Sequence, residues 1–342
     1  DLRAMRTTSP TLAASVGVAT LPPEACASEA HASDANSDGD GDDDARAMIR
    51  EAASEMVGVE VPLRAKGLDT VRSLLVRRQR AALAQLPLLV ELCEAQLAHP
   101  DSFVYQAALN ALEAAATVAP STVLPRLAAL LLPQPSDSTG PDAAASDNLD
   151  AAAERRLKAA QAICQSVLRL GEALAPHASA VMEALLLGVC DRTQPAVRSS
   201  CLACLAQVGA TLRYGLHPWA VELLHVTHSA LRGESDPEAR RAACYLLATL
   251  LASLGTSALE VLDARQLADA HRALRATRDA ARLAGDEALE GHACEALEAM
   301  RTLGLALTRG VADVTDAVEK MRVPPSEYAI RMPGGALGGA PP

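Results

Sequence analysis

At 342 residues the chain has room for two ordinary domains or one array of five or six helix pairs, and half of its residues are hydrophobic. Aromatics make up 2%, with one Trp (Trp219) and one Phe (Phe103), so the core must be built from Ala, Leu and Val, which suits close-packed helices and not a β-sandwich. The net charge is −11, of which six charges are Asp residues between Asp34 and Asp44; the rest offers no basic face of the kind that phosphate backbones require, so nucleic acid is not an expected partner.

In chain order, residues 1–45 lack sustained periodicity and end in SDANSDGDGDDD, and this acidic N-terminal segment is expected to be disordered. A helix is expected from about Ala45 through Met56, broken by VGVEVP at Pro62. The next helix, from Val61, turns Leu68, Val71 and Leu75 inward. Arg77, Arg78 and Arg80 beside Gln79 read either as a solvated turn or as a basic contact for an acidic partner. Leu83, Leu86, Val90, Cys93 and Leu97 form the following stripe, with a bend expected at Pro87. Asp101 or Ser102 can cap a helix that presents Tyr105, Leu109, Leu112 and Ala116 inward. A short helix follows Pro120 and ends before Pro133.

Residues 46–132 are therefore read as the first HEAT-like helices, and 133–150, rich in Pro, Ser and Asp, as a disordered loop. Residues 151–322 hold the remaining HEAT-like repeats, with VADVTDAVEKM as a short closing helix, and 323–342 form a flexible tail. The clearest unit is DRTQPAVRSSCLACLAQV (Asp191 to Val208), a turn followed by a helix with Val197, Cys201, Cys204, Leu205 and Val208 on one face. It returns at SDPEARRAACYLLATLL, where Ala239 stands 42 residues after Val197. Repeats of about 40–47 residues, each two helices, are the mark of HEAT or armadillo arrays. The fold class is all-α, a HEAT/armadillo-like α-solenoid of about five to six helix pairs.

Chemical motifs are few. The C-x-x-C pair Cys201 and Cys204 shares its helical face with Val197, Leu205 and Val208 and is read as core; zinc has no second ligand pair at a suitable distance, and redox sensitivity is the other alternative. His225 and His228 lie three apart without an H-E-x-x-H arrangement and read as half-exposed helix residues. No phosphate loop, dinucleotide fingerprint or nucleophile elbow is present, and no His-Glu dipeptide of the kind di-iron HEAT hydroxylases repeat. The densest apolar run, LAALLLP from Leu127, is far short of the roughly 18 residues a membrane span needs. Catalytic, cofactor and metal residues are thus expected to be none. The residues singled out are those of the repeat turns: Asp101, Asp191, Asp236, Arg198, Arg240 and Arg241, either paired as a ladder between units or exposed to a partner.

Taken together, VPLRAKGL (from Val61), HPDSFVYQAALNAL (from His99), VLPRL (from Val123), DRTQPAVRSSCLACLAQVGATLRYGLHPWAVELL (from Asp191), SDPEARRAACYLLATLLASLG (from Ser235) and ALEVL (from Ala258) resemble one family. It is the C-terminal region of the Rtp-type RNA polymerase II assembly and nuclear-import factors, whose animal members are called transport and Golgi organisation proteins. The resemblance covers roughly residues 50–300; the acidic N-terminal segment, the loop after Pro133 and the Gly-rich tail depart from it. It implies a fragment of a larger solenoid whose partners are proteins: RNA polymerase II subunits, assembly chaperones and transport factors. With no signal peptide visible in the sequence a cytoplasmic location is expected, and the resemblance adds shuttling to the nucleus or a peripheral role at the Golgi in secretion. The competing reading is an enzyme, or an enzyme subunit, with a His/Cys metal site on a HEAT scaffold.

Overall fold

The computed structural model describes residues 38–133, 144–191 and 193–321. Residues 41–342 cluster as one compact unit and 1–40 as another, of which only the first residues of one helix are described. The described residues are helical and contain no strand. Helix α1 spans Asp38–Val57, α2 Val61–Val76, α3 Arg80–Ala84, α4 Leu86–Gln96, α5 Ser102–Val118, α6 Pro120–Leu131 and α7 Ala144–Leu170. Then come α8 Ala178–Val189, α9 Pro195–Leu212, α10 Ala220–Gly233, α11 Pro237–Leu254, α12 Ala258–Val261, α13 Ala264–Ala284 and α14 Glu287–Met321.

The pairing follows the period of the sequence. Helices α2, α5, α7, α9, α11 and α14 pack each on the next, and α4, α6, α8, α10 and α13 cover them as first members of their pairs. With α1 set on α2, that gives six helix pairs in an all-α solenoid. Between α1 and α2 the close approach is made at Gly67, where a Cβ would come within 2.7 Å of the Ala52 carbonyl oxygen. Ala, Leu and Val make up most of one continuous core along the array, from Ala45 to Leu303. Such a spine, in which each unit touches only its neighbours, is how a solenoid gains stability without a closed core.

The corners carry a repeat that composition alone does not reveal. The α7, α9 and α11 helices end at Gly171, Arg213 and Gly255, 42 residues apart, each with positive φ (54°, 48° and 54°). After each comes a 3-10 turn: Gly171–His177, Arg213–Trp219 and Gly255–Ser257. Three residues beyond each corner, Leu174, Leu216 and Ala258 are fully buried, so the turn is anchored at the same register every time.

Several expectations need correction. The acidic segment is not disordered to residue 45: α1 already begins at Asp38, where Arg46 bridges Asp42 and Asp43 at 3.0 and 2.8 Å and offsets part of the like-charge repulsion. The expected loop over 133–150 ends early, because α7 starts at Ala144. Pro87 does not bend a helix; it stands in the first turn of α4, where its missing N–H costs nothing, and the chain breaks at Gln85 between α3 and α4. As a result Leu83 is 37% exposed and Ala81 and Ala82 are buried in its stead. The closing helix is not separate but the end of α14. Residues 1–37, 134–143 and 323–342, with the expectations made for them, lie outside the described residues.

One further helix differs from its reading in sequence. The stretch Pro237–Val261 is long and apolar enough to cross a membrane by composition. In the fold it is α11, the Gly255–Ser257 turn and α12, and α11 packs between α9 and α14 with α10 alongside.

Candidate functional site

Charged side chains recur where one repeat meets the next. Arg156 on α7 donates from Nη1 to Asp191 Oδ2 at 2.5 Å and from Nε to the Leu131 carbonyl at 2.8 Å. Arg198 on α9 forks onto Glu234, with Nε to Oε2 at 2.6 Å and Nη2 to Oε1 at 2.9 Å, and reaches the Asp191 carbonyl at 2.9 Å. Arg241 on α11 reaches Asp286 at 3.0 Å and Glu238 at 2.5 Å. The acceptors Asp191, Glu234 and Asp286 stand in the α8–α9, α10–α11 and α13–α14 turns, so each arginine points forward into the corner of the following pair. The arginines lie at residues 156, 198 and 241, the same forty-odd spacing as the helices that carry them.

Burial sets the strength of each rung. The side chains of Arg156 and Asp191 are both 8% exposed, those of Arg241 and Asp286 28% and 19%. An interaction shielded from water loses less to screening, so the Arg156–Asp191 rung is the strongest. Burial alone would push the Asp191 carboxyl up, but the Thr193 hydroxyl and amide, then Arg156, outweigh it and hold the group at about 2. Glu234 is lowered by its bonds to Arg198, against the effect of burial.

The six turn residues read from the sequence therefore divide. Asp191, Arg198 and Arg241 belong to the ladder. Asp101 and Asp236 are helix caps, their carboxylates accepting from the Phe103 and Ala239 amides at 2.8 Å each, and among the described residues neither carboxylate bonds an arginine side chain. Arg240 has no ion-pair partner, and its Nε is buried without an acceptor. Sequence reasoning did not single out Arg156, Glu234 or Asp286; the recurring interval between arginines was the signal that could have found them.

Beside Arg240 a cavity of about 510 Å³ opens between α10, α11 and α13. It is lined by Arg232, Arg272, His228, Asp269 and Thr277 among others. Arg272 is bonded to Asp269, whereas Arg232 has no ion-pair partner among the described residues.

Among the described residues Cys93, Cys201, Cys204 and Cys244 are buried in the core, Cys164 is half-buried, and Cys190 and Cys294 are exposed. Cys201 and Cys204 are 0% and 1% exposed, and burial pushes the thiols of Cys93, Cys201 and Cys244 up to about 12, far from the thiolate that metals and oxidants engage. His225 is exposed and His228 half-buried. Among the described residues no group of three or more His, Cys, Asp or Glu is arranged to hold a metal. Arg77, Arg78 and Arg80 are exposed in the turn after α2, which closes with Arg78 at φ 53° through a bond from the Gln79 amide to the Leu74 carbonyl at 3.1 Å.

Residues 49–173 match the family model described as "Required for nuclear transport of RNA pol II C-terminus 1". This stretch is an Rtp-type C-terminal region. It takes in α2 to α7 and the C-terminal end of α1, from residue 49 on. Among solved structures the chain is similar to the karyopherin Kap121p bound to Pho4p, at TM-score 0.51 and 13% identity over 80% of this chain and 25% of that one. The same karyopherin bound to Nup53p matches with the same figures, TM-score 0.51, 13% identity, 80% and 25%. At such identity the likeness speaks for the fold, an all-α solenoid, and the chain spans about a quarter of the length of these karyopherins.

Proposed function

We propose that this Rtp-type chain is a non-catalytic helical-repeat scaffold that binds proteins in the assembly and nuclear import of RNA polymerase II. The observation that carries the reading is the family match over residues 49–173, on helices whose stacking leaves a long surface for partners. The partners are RNA polymerase II subunits with their assembly chaperones and transport factors, and the chain works in the cytoplasm and shuttles to the nucleus. The family model speaks of nuclear transport and lends no support to a role in secretion or at the Golgi.

Affinity purification of the tagged chain from cells, followed by mass spectrometry, tests this reading. Enrichment of polymerase subunits is expected; enrichment of coat or tether proteins in their place would overturn it. Metal analysis of the purified protein tests the enzyme alternative, which stoichiometric zinc or iron would favour.

A further inference from the structure

Arg198 and Arg240 stand at one register of consecutive repeats, each just after the first buried residue of its helix, Val197 and Ala239. For Arg198 the next turn supplies Glu234, held at 2.6 and 2.9 Å by both arms of the guanidinium. For Arg240 the equivalent acid is Asp286, and it is already engaged by Arg241 at 3.0 Å and by the Leu289 amide at 3.0 Å. Arg240 is left as a half-buried cation without a bonded acid, its Nε shut off from water. Its terminal nitrogens are not buried in this way and bond no acid among the described residues, so they are free to meet a ligand carboxylate.

The place such an acid would occupy is open. The 510 Å³ cavity lies against Arg240 and adds Arg232 from α10 and Arg272 from α13. Three guanidinium groups there face a single carboxylate, Asp269, in a chain that is otherwise acidic. The volume is in the range of roughly 300–1,000 Å³ that holds a small ligand or a few side chains. Glu234, Asp236, Glu238 and Asp286 stand on the turns around Arg240. These acids repel a continuous phosphate backbone, but a short segment with one or two acidic side chains meets only the cavity.

We propose that this cavity takes an acidic peptide segment of a protein partner. One acid seats on the terminal nitrogens of the Arg240 guanidinium, and a second reaches Arg232. The proposal rests on the protein-scaffold reading and adds to it a place and a chemistry; it is independent of which protein is carried.

Fluorescence anisotropy on the full chain tests it, with a short labelled peptide rich in Asp and Glu, its Asn/Gln counterpart, and a version carrying phosphoserine. The acidic peptide is expected to bind about tenfold or more tighter than the neutral one, and Arg232→Gln and Arg240→Gln each to weaken it about tenfold. Arg265→Gln, on α13 but outside the cavity, is expected to leave binding unchanged. Tighter binding of the phosphoserine peptide supports the site and assigns phosphate as its acid. Arg232 is exposed, so its variant folds even if Arg240→Gln does not. Equal binding of acidic and neutral peptides, no binding at all, or an unchanged Arg232→Gln variant overturns the proposal, as does displacement of the peptide by a thymidine oligonucleotide at equal concentration. If the chain captures protein partners from cells and Arg232→Gln retains all of them, the cavity is wrong and the scaffold reading stands.

Discussion

Replacing Asp191 separates two roles held by one side chain. Its Oδ2 pairs with Arg156, while its Oδ1 accepts from the Thr193 amide at 2.7 Å, the Thr193 hydroxyl at 2.7 Å and the Gln194 amide at 3.2 Å, which sets the entry to α9. Asp191→Asn keeps an acceptor for those amides and removes the charge. The carboxyl is lowered from 3.8 to about 2 in the fold, by the Thr193 bonds first and Arg156 after them. At ~1.4 kcal/mol per pH unit that corresponds to at most about 2 kcal/mol of stability, of which the Arg156 pair supplies a part. Asp191→Ala also strands Arg156, whose Nη2 already lacks an acceptor, and is expected to cost about 3–5 kcal/mol. Since the folded-state value lies below the unfolded one, this stability is present above about pH 4 and is lost as pH falls toward 2. Urea unfolding followed by far-UV circular dichroism, at neutral pH and again near pH 3, measures both effects. With Arg156→Met added to Asp191→Asn, the combined loss is expected to fall short of the sum by about 1–3 kcal/mol. An Asp191→Asn variant within about 0.5 kcal/mol of the parent, with an unaltered acid limb, would refute the ladder as a stabilising device.

Gly188→Ala is expected to destabilise by about 1–3 kcal/mol, because a Cβ there meets Cys201 Sγ at 2.5 Å between α8 and α9; the same urea experiment on Gly188→Ala/Cys201→Ala should return part of the loss. Arg213→Gly is expected to stabilise by about 1 kcal/mol, since Arg213 holds φ 48° and ψ −119°, a conformation that favours glycine and that Gly171 and Gly255 take up at the sister corners. Thermal melts would read that gain, and a lower melting temperature would sink the account of the corner. Gly67→Ala should loosen α1 from α2, seen as faster amide exchange in α1 with the later helices unchanged.

The architecture was legible where periodicity was strong. Val197 and Ala239 mark the first buried position of their helices, and the faces built on Leu68, Leu109 and Val208 point inward as their spacing requires. Boundaries were harder, because they depend on balances that a hydrophobic pattern does not contain. Asp38–Asp44 reads as a repelling acidic run, yet Arg46 lies within one helical turn of Asp42 and Asp43 and lets α1 start early. Pro87 gives the same letter whether it kinks a helix or opens one; tertiary packing of Ala81 and Ala82 decided for a new start. The ladder was visible in outline, as arginines and acids near turns. Which acid meets which arginine was not, since Asp236 and Glu234 are two residues apart and only the coordinates assign one to the cap and the other to Arg198. The cavity at Arg240 had no signature, for it is defined by a bond that the array leaves unmade.

The matched corners at Gly171, Arg213 and Gly255 make this stretch of chain interchangeable with itself. Excising the 42 residues between two of them joins like to like: the same positive φ, the same buried anchor three residues on, a 3-10 turn leading into a helix. A gene for such a protein can gain or lose one such block and still encode a chain that knows how to turn.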